Sequence, residues 1–270
     1  MIVTVVTPTL NGMPYLRECI ESVRKNGSRN VEVEHVIVDG GSTDGTIELA
    51  QSYGLPLLTG KDKGIFDAIN KGSFNSRGEL LGFLGSDDVM LDGALDAVVE
   101  AYRASGRRWV VGGIHWIDEH GNSLGQLRAP PTWMTVRMHA CLEWNPIMHM
   151  ATYFSREFYT ELGGFNIDYK DSGDFDMFAR ALSQEPFGRI GRQIAAFRRT
   201  GSNNSVVNRA RGMREAQTVY ERFGATSAVE HQLWRYLLKC WFNFSNPDWM
   251  AHKVSNSLLL RLQPQKKSYF

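Results

Sequence analysis

Leu80-Leu81-Gly82-Phe83-Leu84-Gly85-Ser86-Asp87-Asp88 is an apolar run, read as a buried strand, that ends abruptly in a glycine, a serine and two adjacent carboxylates. Like charges side by side at the mouth of a buried sheet repel each other and resist desolvation. They are tolerated best where a cation sits, or where each has its own partner; a divalent metal with a phosphorylated ligand supplies both. The competing reading is a pair of loop carboxylates favoured by the dipole of the following helix, and the residues alone leave the two equal. Adjacent strand side chains point to opposite faces. One metal would therefore take a single aspartate, leaving the other for a neighbouring group such as a ribose hydroxyl.

Upstream, strand and helix signals alternate, as in parallel βαβ units. Ile2 to Thr7 is a β-branched run closed by the breaker Pro8 and the turn Asn11-Gly12. Tyr15 to Arg24 has helical spacing, with Leu16, Cys19, Ile20 and Val23 on one face. Val33 to Val38 is the next strand, ending at Asp39. The turn Gly40-Gly41-Ser42-Thr43-Asp44-Gly45 leads into a helix through Ile47, Leu49 and Ala50. Leu55 to Leu58 reads as a short strand and Phe66 to Phe74 as a helix, before the strand Glu79 to Leu84. A helix is expected from about Asp92, its N-cap, to Ala104.

Beyond Trp109 the regularity breaks. Trp109 to Ile117 resembles a strand, and Asp118 to Asn122 a hairpin turn. Residues 127–150 lack clean periodicity and read as a mobile or substrate-facing segment. Phe154 to Leu162 and Asp176 to Leu182 read as helices. From about Gly212 the pattern is helical and aromatic, with Trp234, Tyr236, Leu237, Leu238, Trp241, Phe242 and Phe244 close together.

The chain has 270 residues, 43% of them hydrophobic, enough for one large α/β domain, or for one domain plus a helical appendage. With 30 basic and 29 acidic side chains and a net charge of +1, no basic excess points to nucleic acid. The apolar N-terminus is short and lacks a charged leader, so it reads as a first strand; no apolar run is long enough to span a bilayer. Three distant cysteines, Cys19, Cys141 and Cys240, fit neither a disulfide framework nor a zinc site, which makes a reducing cytoplasm the default.

Parallel strands that end in acid-bearing turns bring those acids to the carboxyl edge, where open α/β sheets bind ligands. Asp39, Asp62, Asp67, Asp87 and Asp88 would converge there. The glycine-rich turn after Asp39 is neither a dinucleotide fingerprint nor a P-loop; Ser42, Thr43 or Asp44 as helix caps is its simpler reading. A second acid cluster, Asp171-Ser172-Gly173-Asp174-Phe175-Asp176, is either a capping cluster or the source of a general base. Asp176 and Arg180, at i and i+4, pair along the helix and leave Asp174, in the turn before it, to face the cleft. His149 lies in an apolar context, where a hydrogen-bonded structural role competes with a site role; Arg199 is a further candidate. The aromatic tail reads as core or oligomer interface. Flanking Arg235, Lys239, Lys253, Arg261, Lys266 and Lys267 keep a peripheral membrane contact in view.

Taken in order, these segments resemble a family-2 glycosyltransferase of the GT-A fold. The match runs through Thr7-Pro8-Thr9-Leu10-Asn11, Val38 to Thr46, Asp62 to Gly72, Gly85-Ser86-Asp87-Asp88, Leu162 to Phe165, and Asp174-Phe175-Asp176 with Arg180. It covers roughly residues 1–205. The resemblance implies a Rossmann-like, mostly parallel sheet: residues 1–110 as the nucleotide-sugar half, 111–211 as the acceptor half, and 212–270 as a helical extension. Thr7, Pro8 and Asn11 would line the nucleotide pocket, and Asp39 would accept from the base. Asp67, Asn70 and Lys71 would border nucleotide and sugar. Asp87 and Asp88 match the D-x-D element, Asp87 towards ribose or sugar and Asp88 towards Mn2+ or Mg2+ on the diphosphate. Asp174 matches the inverting base. The family often has Glu before that base; here it is Gly173, so the role is missing or passes to Asp171. A Q-x-x-R-W element is absent, which favours a single transfer over processive synthesis.

The expected chemistry is an inverting, metal-dependent transfer of one sugar from a UDP or GDP donor to an acceptor hydroxyl on a glycan or glycolipid, in the cytoplasm or at the inner membrane face. The metal, with Lys61, Lys63 or Lys71, would stabilise the leaving diphosphate, and the base would take the acceptor proton. The alternative is a catalytically silent nucleotide-sugar-binding subunit that docks a partner through its tail. A nucleotidyltransferase is disfavoured by the lack of a Gly-rich, Arg- and Lys-bearing N-terminal loop.

Overall fold

The computed structural model describes residues 1–142, 144–200, 208–224, 227–248, 250, 251 and 254. Its first part alternates as the sequence predicts: β1 (Ile2–Thr9), α1 (Leu16–Arg24), β2 (Glu32–Asp39), α2 (Thr46–Ser52), β3 (Leu57–Thr59), α3 (Ile65–Phe74) and β4 (Leu80–Phe83). The four strands run parallel in the order β3-β2-β1-β4. Side chains alternate across this sheet as the pleat requires. Val6 faces one core with Leu81 and Phe83, while Val3 and Val5 face the other with Leu80.

Pro8 does not close β1 as expected, since it pairs in register with Val38 and the strand continues to Thr9. Its effect falls on the other side. The Val6 carbonyl accepts from the Leu84 N–H at 3.0 Å, and Pro8, next on that side, has no N–H to continue the ladder. The β1–β4 pairing ends at Val6 and Phe83, so the strands part where the acidic turns begin.

The second part holds β5 (Val89–Met90), α4 (Ala94–Ser105), β6 (Trp109–Asp118), β7 (Ser123–Leu127) and α5 (Val136–Ala140). After a 3-10 turn (His149–Ala151) come β8 (Thr152–Ser155), α6 (Arg156–Glu161), α7 (Gly173–Gln184), β9 (Gly188–Arg199), α8 (Arg209–Phe223) and α9 (Ala228–Ser245). The described strands form one sheet ordered β3-β2-β1-β4-β8-β6-β9-β5, with β7 beside β6. This half is mixed: β8 is antiparallel to both β4 and β6, and β9 is parallel to β6.

Three elements differ from expectation. Phe154 lies in the central strand β8, and the helix begins only at Arg156, where the Ser155 side chain accepts the Phe158 N–H. Asp92 is not the cap of α4, because Gly93 takes that position with φ 68. β9 is unforeseen, since its arginines and glycines mask the alternation around Ile190, Ile194 and Ala196. Residues 127–150, expected to be mobile or substrate-facing, bury Met134, Leu142 and Ile147 in the core and leave Trp144, Asn145 and His149 partly exposed. α9 splits its hydrophobic residues: Leu238 and Phe242 are buried, whereas Tyr236 and Phe244 are exposed. No described helix is long and apolar enough to cross a membrane.

β9 is anchored at its end by Arg198, which is 2% exposed. Its backbone N–H donates to Asp88 Oδ1 (3.0 Å), its Nε to the Asp87 carbonyl (2.9 Å) and its Nη2 to Glu18 Oε2 (2.6 Å). The guanidinium lies over the Tyr15 ring. Arg198→Ala keeps the backbone bond to Asp88 but strips the guanidinium from the part-buried Asp87 carbonyl and from Glu18, and leaves the space of a fully buried side chain empty. Urea unfolding is expected to show a loss of about 3 kcal/mol, and a loss under about 1 kcal/mol would mark the contacts as surface-like.

Candidate active site

The turns at the carboxyl edge of the parallel strands are built from side chains that bind one another. Asp39, fully buried, accepts from the Gly41 N–H (2.9 Å), the Ser42 N–H (2.8 Å) and the Ser42 hydroxyl. Ser42 in turn accepts the Asn11 N–H, while Asn11 Oδ1 accepts from Thr43. Asp39 and Asn11 therefore hold the shape of this turn. None of Ser42, Thr43 or Asp44 is the cap of α2, whose N-cap is Gly45, although Asp44 accepts the Thr46 N–H. Thr7, expected in the pocket, points inward, and its hydroxyl meets His35 Nε2 at 2.9 Å with no exposure. Pro8 is buried in the ladder.

Around α3, Asp67 accepts the Lys63 N–H and pairs with Lys71 at 2.9 Å, and Lys71 reaches the Lys61 carbonyl. Asp62 accepts the Gly64 N–H. Asn70 is committed elsewhere. Its side chain bonds Tyr159 and both backbone groups of Phe165, so it clamps the 162–165 turn.

Asp87 and Asp88 differ in burial. Asp88 is 2% exposed, accepts the Arg198 N–H and is also bonded by the Gly85 backbone. Asp87 is the partly exposed one. A Cβ at residue 85 would stand 2.8 Å from Asp88 Oδ2 and 3.0 Å from Asp87 Oδ1, so glycine is what lets both carboxylates turn back over this corner. Neither caps α4, because β5 intervenes. Burial pushes both carboxyls above their ordinary range, Asp88 further because of the Asp87 charge.

Across the crevice Asp174 sits in the first turn of α7, not before it. Its Oδ1 accepts the Phe175 N–H (2.8 Å) and its Oδ2 accepts from Asn145 Nδ2 (3.0 Å). Its Oδ2 also lies 4.0 Å from His149 Nδ1. Burial raises the Asp174 carboxyl, opposed first by His149. Burial lowers His149, opposed by Asp174 and then by Asp87. The histidine, open to a structural reading by sequence, thus feels both carboxylates. Asn145 and Arg198 were not legible: neither stands in a motif, and a buried arginine reads as a surface one.

Asp176 pairs with Arg180 at 2.7 Å as predicted, and Arg180 also holds the Leu162 and Gly164 carbonyls. Asp171 does not replace the missing acid, because it turns to α8 and pairs with Arg211. Gly173 has a steric cause: a Cβ there would lie 2.6 Å from the Phe66 ring. Glu215 of α8 gathers the N–H groups of Lys170, Asp171 and Ser172 at 2.8–2.9 Å, fixing the chain just before Asp174. Arg199 lies over the Trp116 ring, and burial lowers its pKa. Of the basic tail, Arg235 and Lys239 are described; Lys253, Arg261, Lys266 and Lys267 lie outside the described residues.

Two outcomes follow from this geometry. A carboxyl raised on folding stabilises below its unfolded pKa, and that contribution is lost as pH rises through its folded pKa. Asp87→Asn is therefore expected to melt above the parent at pH 8, with the gap closing towards pH 3; a constant gap across pH contradicts the burial argument. Glu215→Ala is expected to cost about 2–3 kcal/mol and to speed amide exchange at residues 170–172, whereas unchanged exchange there would remove its positioning role.

Comparison with known proteins agrees with this architecture. Residues 4–174 match the sequence profile described as "Glycosyl transferase family 2". A "PGL/p-HBAD biosynthesis glycosyltransferase" of Mycobacterium bovis is 26% identical over 202 residues, covering 67% of this chain and 69% of that protein. Chondroitin synthase of Escherichia coli is 25% identical over 211 residues, 76% of this chain but 30% of that longer one. S. aureus TarS 1–349 in complex with UDP-GlcNAc superposes with TM-score 0.62 at 14% identity, covering 96% of this chain and 81% of that one. The mannosyltransferase PcManGT from Pyrobaculum calidifontis, in complex with GDP-Man and Mn2+, gives 0.61 at 18% identity, covering 95% and 75%. With the profile spanning more than half of its length and the GT-A fold in place, this chain belongs to glycosyltransferase family 2.

Proposed function

We propose that the protein is an inverting glycosyltransferase that moves one sugar from a nucleoside diphosphate donor to an acceptor hydroxyl, with Asp174 as the base and Asp87 as the metal-facing carboxylate. The observation that carries this reading is the apposition of Asp87 and Asp174 about His149 at the opened carboxyl edge of the sheet. A base must accept a proton at working pH yet stay close to the reacting centre. Asp174, held by Asn145 and the Phe175 N–H with 22% of its side chain exposed, meets both demands. A single carboxylate that removes the acceptor proton, on the side opposite the departing nucleotide, gives inversion.

The donor fits the turns around Asn11, Asp39 and Asp67. UDP-GlcNAc and GDP-Man complexes of the similar folds support a nucleotide-sugar donor. Mg2+ and Mn2+ in such sites use one or two carboxylates plus substrate phosphate oxygens and water. Among the described residues no group of three or more His, Cys, Asp or Glu is arranged to hold a metal, and one partly exposed carboxylate beside the crevice suits the substrate-completed kind of site. Asp87 would hold such an ion, with Asp88 behind it fixing the turn. When bound, the cation supplies charge stabilisation to the leaving diphosphate. Asp174 takes the proton and Asn145 keeps its carboxylate aimed, with His149 beside it at 4.0 Å.

The test is turnover of UDP- and GDP-sugars with Mn2+, with NMR reading the product anomer. Asp174→Asn is expected to lower kcat by about 10²–10⁴-fold while donor affinity holds. Asp87→Ala is expected to abolish the Mn2+ dependence of nucleotide binding. Full turnover by Asp174→Asn, or retained anomeric configuration, would refute the reading.

A further inference from the structure

Beside Asp174, between the sheet and α9, lies a cavity of about 340 Å³ that the donor chemistry does not use. Its volume falls at the lower end of the roughly 300–1,000 Å³ typical of small-molecule sites. Its position is fixed by Asn145, which lines the cavity on one side and donates to Asp174 Oδ2 on the other. The opposite wall is α9, where Arg235 and Lys239 stand at i and i+4 on one face; a third cation, Arg199, comes from the end of β9. Two tryptophans complete the lining, Trp116 beneath Arg199 and Trp144 against the Phe242 ring at 4.4 Å. None of the described residues that line it is acidic.

Three cations around one small space attract an anion, and two indoles in the lining give a sugar ring apolar wall to pack against. We propose that this cavity is the acceptor subsite, and that the acceptor carries an anionic group, a phosphate or a carboxylate, held by Arg199, Arg235 and Lys239 while its ring rests on the tryptophans. A hydroxyl of a ligand so held is directed past Asn145 to Asp174. The inference rests on the transfer reading above and names the class of acceptor for it. It also gives α9 a role in recognition, since the helix supplies two of the three cations and thereby the charge selectivity.

The experiment uses the full chain and its tryptophan fluorescence. Glucose 6-phosphate, glucuronate and methyl β-glucoside are titrated separately at low and high salt. The expected result is saturable binding of the phosphate, the carboxylate or both, weakened by salt, with the neutral glucoside at least about tenfold weaker. Which anion binds tells phosphate from carboxylate. Arg235→Ala with Lys239→Ala is expected to weaken the anionic probe by about tenfold or more. Equal binding of neutral and anionic probes, or no binding of any probe by the parent, overturns the proposal without needing a variant that folds. Nucleotide binding and donor hydrolysis are read in parallel without acceptor. Their loss with probe binding intact removes the transfer reading and leaves the anion site, and the reverse removes the anion site alone.

Discussion

The guanidinium of Arg198 joins segments that are far apart in the chain. It holds Glu18 of α1 and the ring of Tyr15 just before that helix, the Asp87 carbonyl and, at 3.4 Å, the carbonyls of Asp118 and Glu119. Its own N–H meets Asp88. Two adjacent carboxylates at the end of a buried strand are unstable neighbours, and a buried cation behind them lets the turn keep its shape. The same contact ties together the two parts of the sheet: β9 runs between β6 and β5, and its last residues meet the turn that follows β4.

Charge at the crevice is graded by burial. Asp88 is sealed and serves the backbone, Asp87 is partly exposed, and Asp174 is held by a neutral amide and its own helix. All three carboxyls are raised and His149 is lowered, with burial the first cause in each case. Groups pushed this way store free energy that a cation, a phosphate or a transferred proton releases. Stability surrendered at such positions is common where ligands bind.

Much of this was readable from the chain. Asp39, Asp87-Asp88 and Asp174 each follow a clear signal, an apolar run that stops at an acid or a helix that opens on one, and the fold brings them to one edge. What sequence did not reveal has definite causes. Asp87 and Asp88 differ only in which way a tight turn aims them, and that depends on Arg198, more than a hundred residues away. Thr7 and Asn70 fit the pocket by residue type, but their hydrogen-bond partners, His35 and Phe165, come from other elements. β9 hides because arginines that point to solvent or into the site alternate with small residues instead of a plain apolar face. The cavity between α9 and the sheet has no motif, because its cations come from two distant elements.

Pro8 offers a different kind of consequence. The gap between β1 and β4 does not depend on a side chain pushing the strands apart; it follows from a proton that proline does not have. Such an opening needs no hinge and no induced rearrangement of the sheet, so the crevice has its width before any ligand arrives. A molecule entering there meets a slot whose cost was met when the chain folded, and its binding free energy goes to contacts rather than to prising two strands apart.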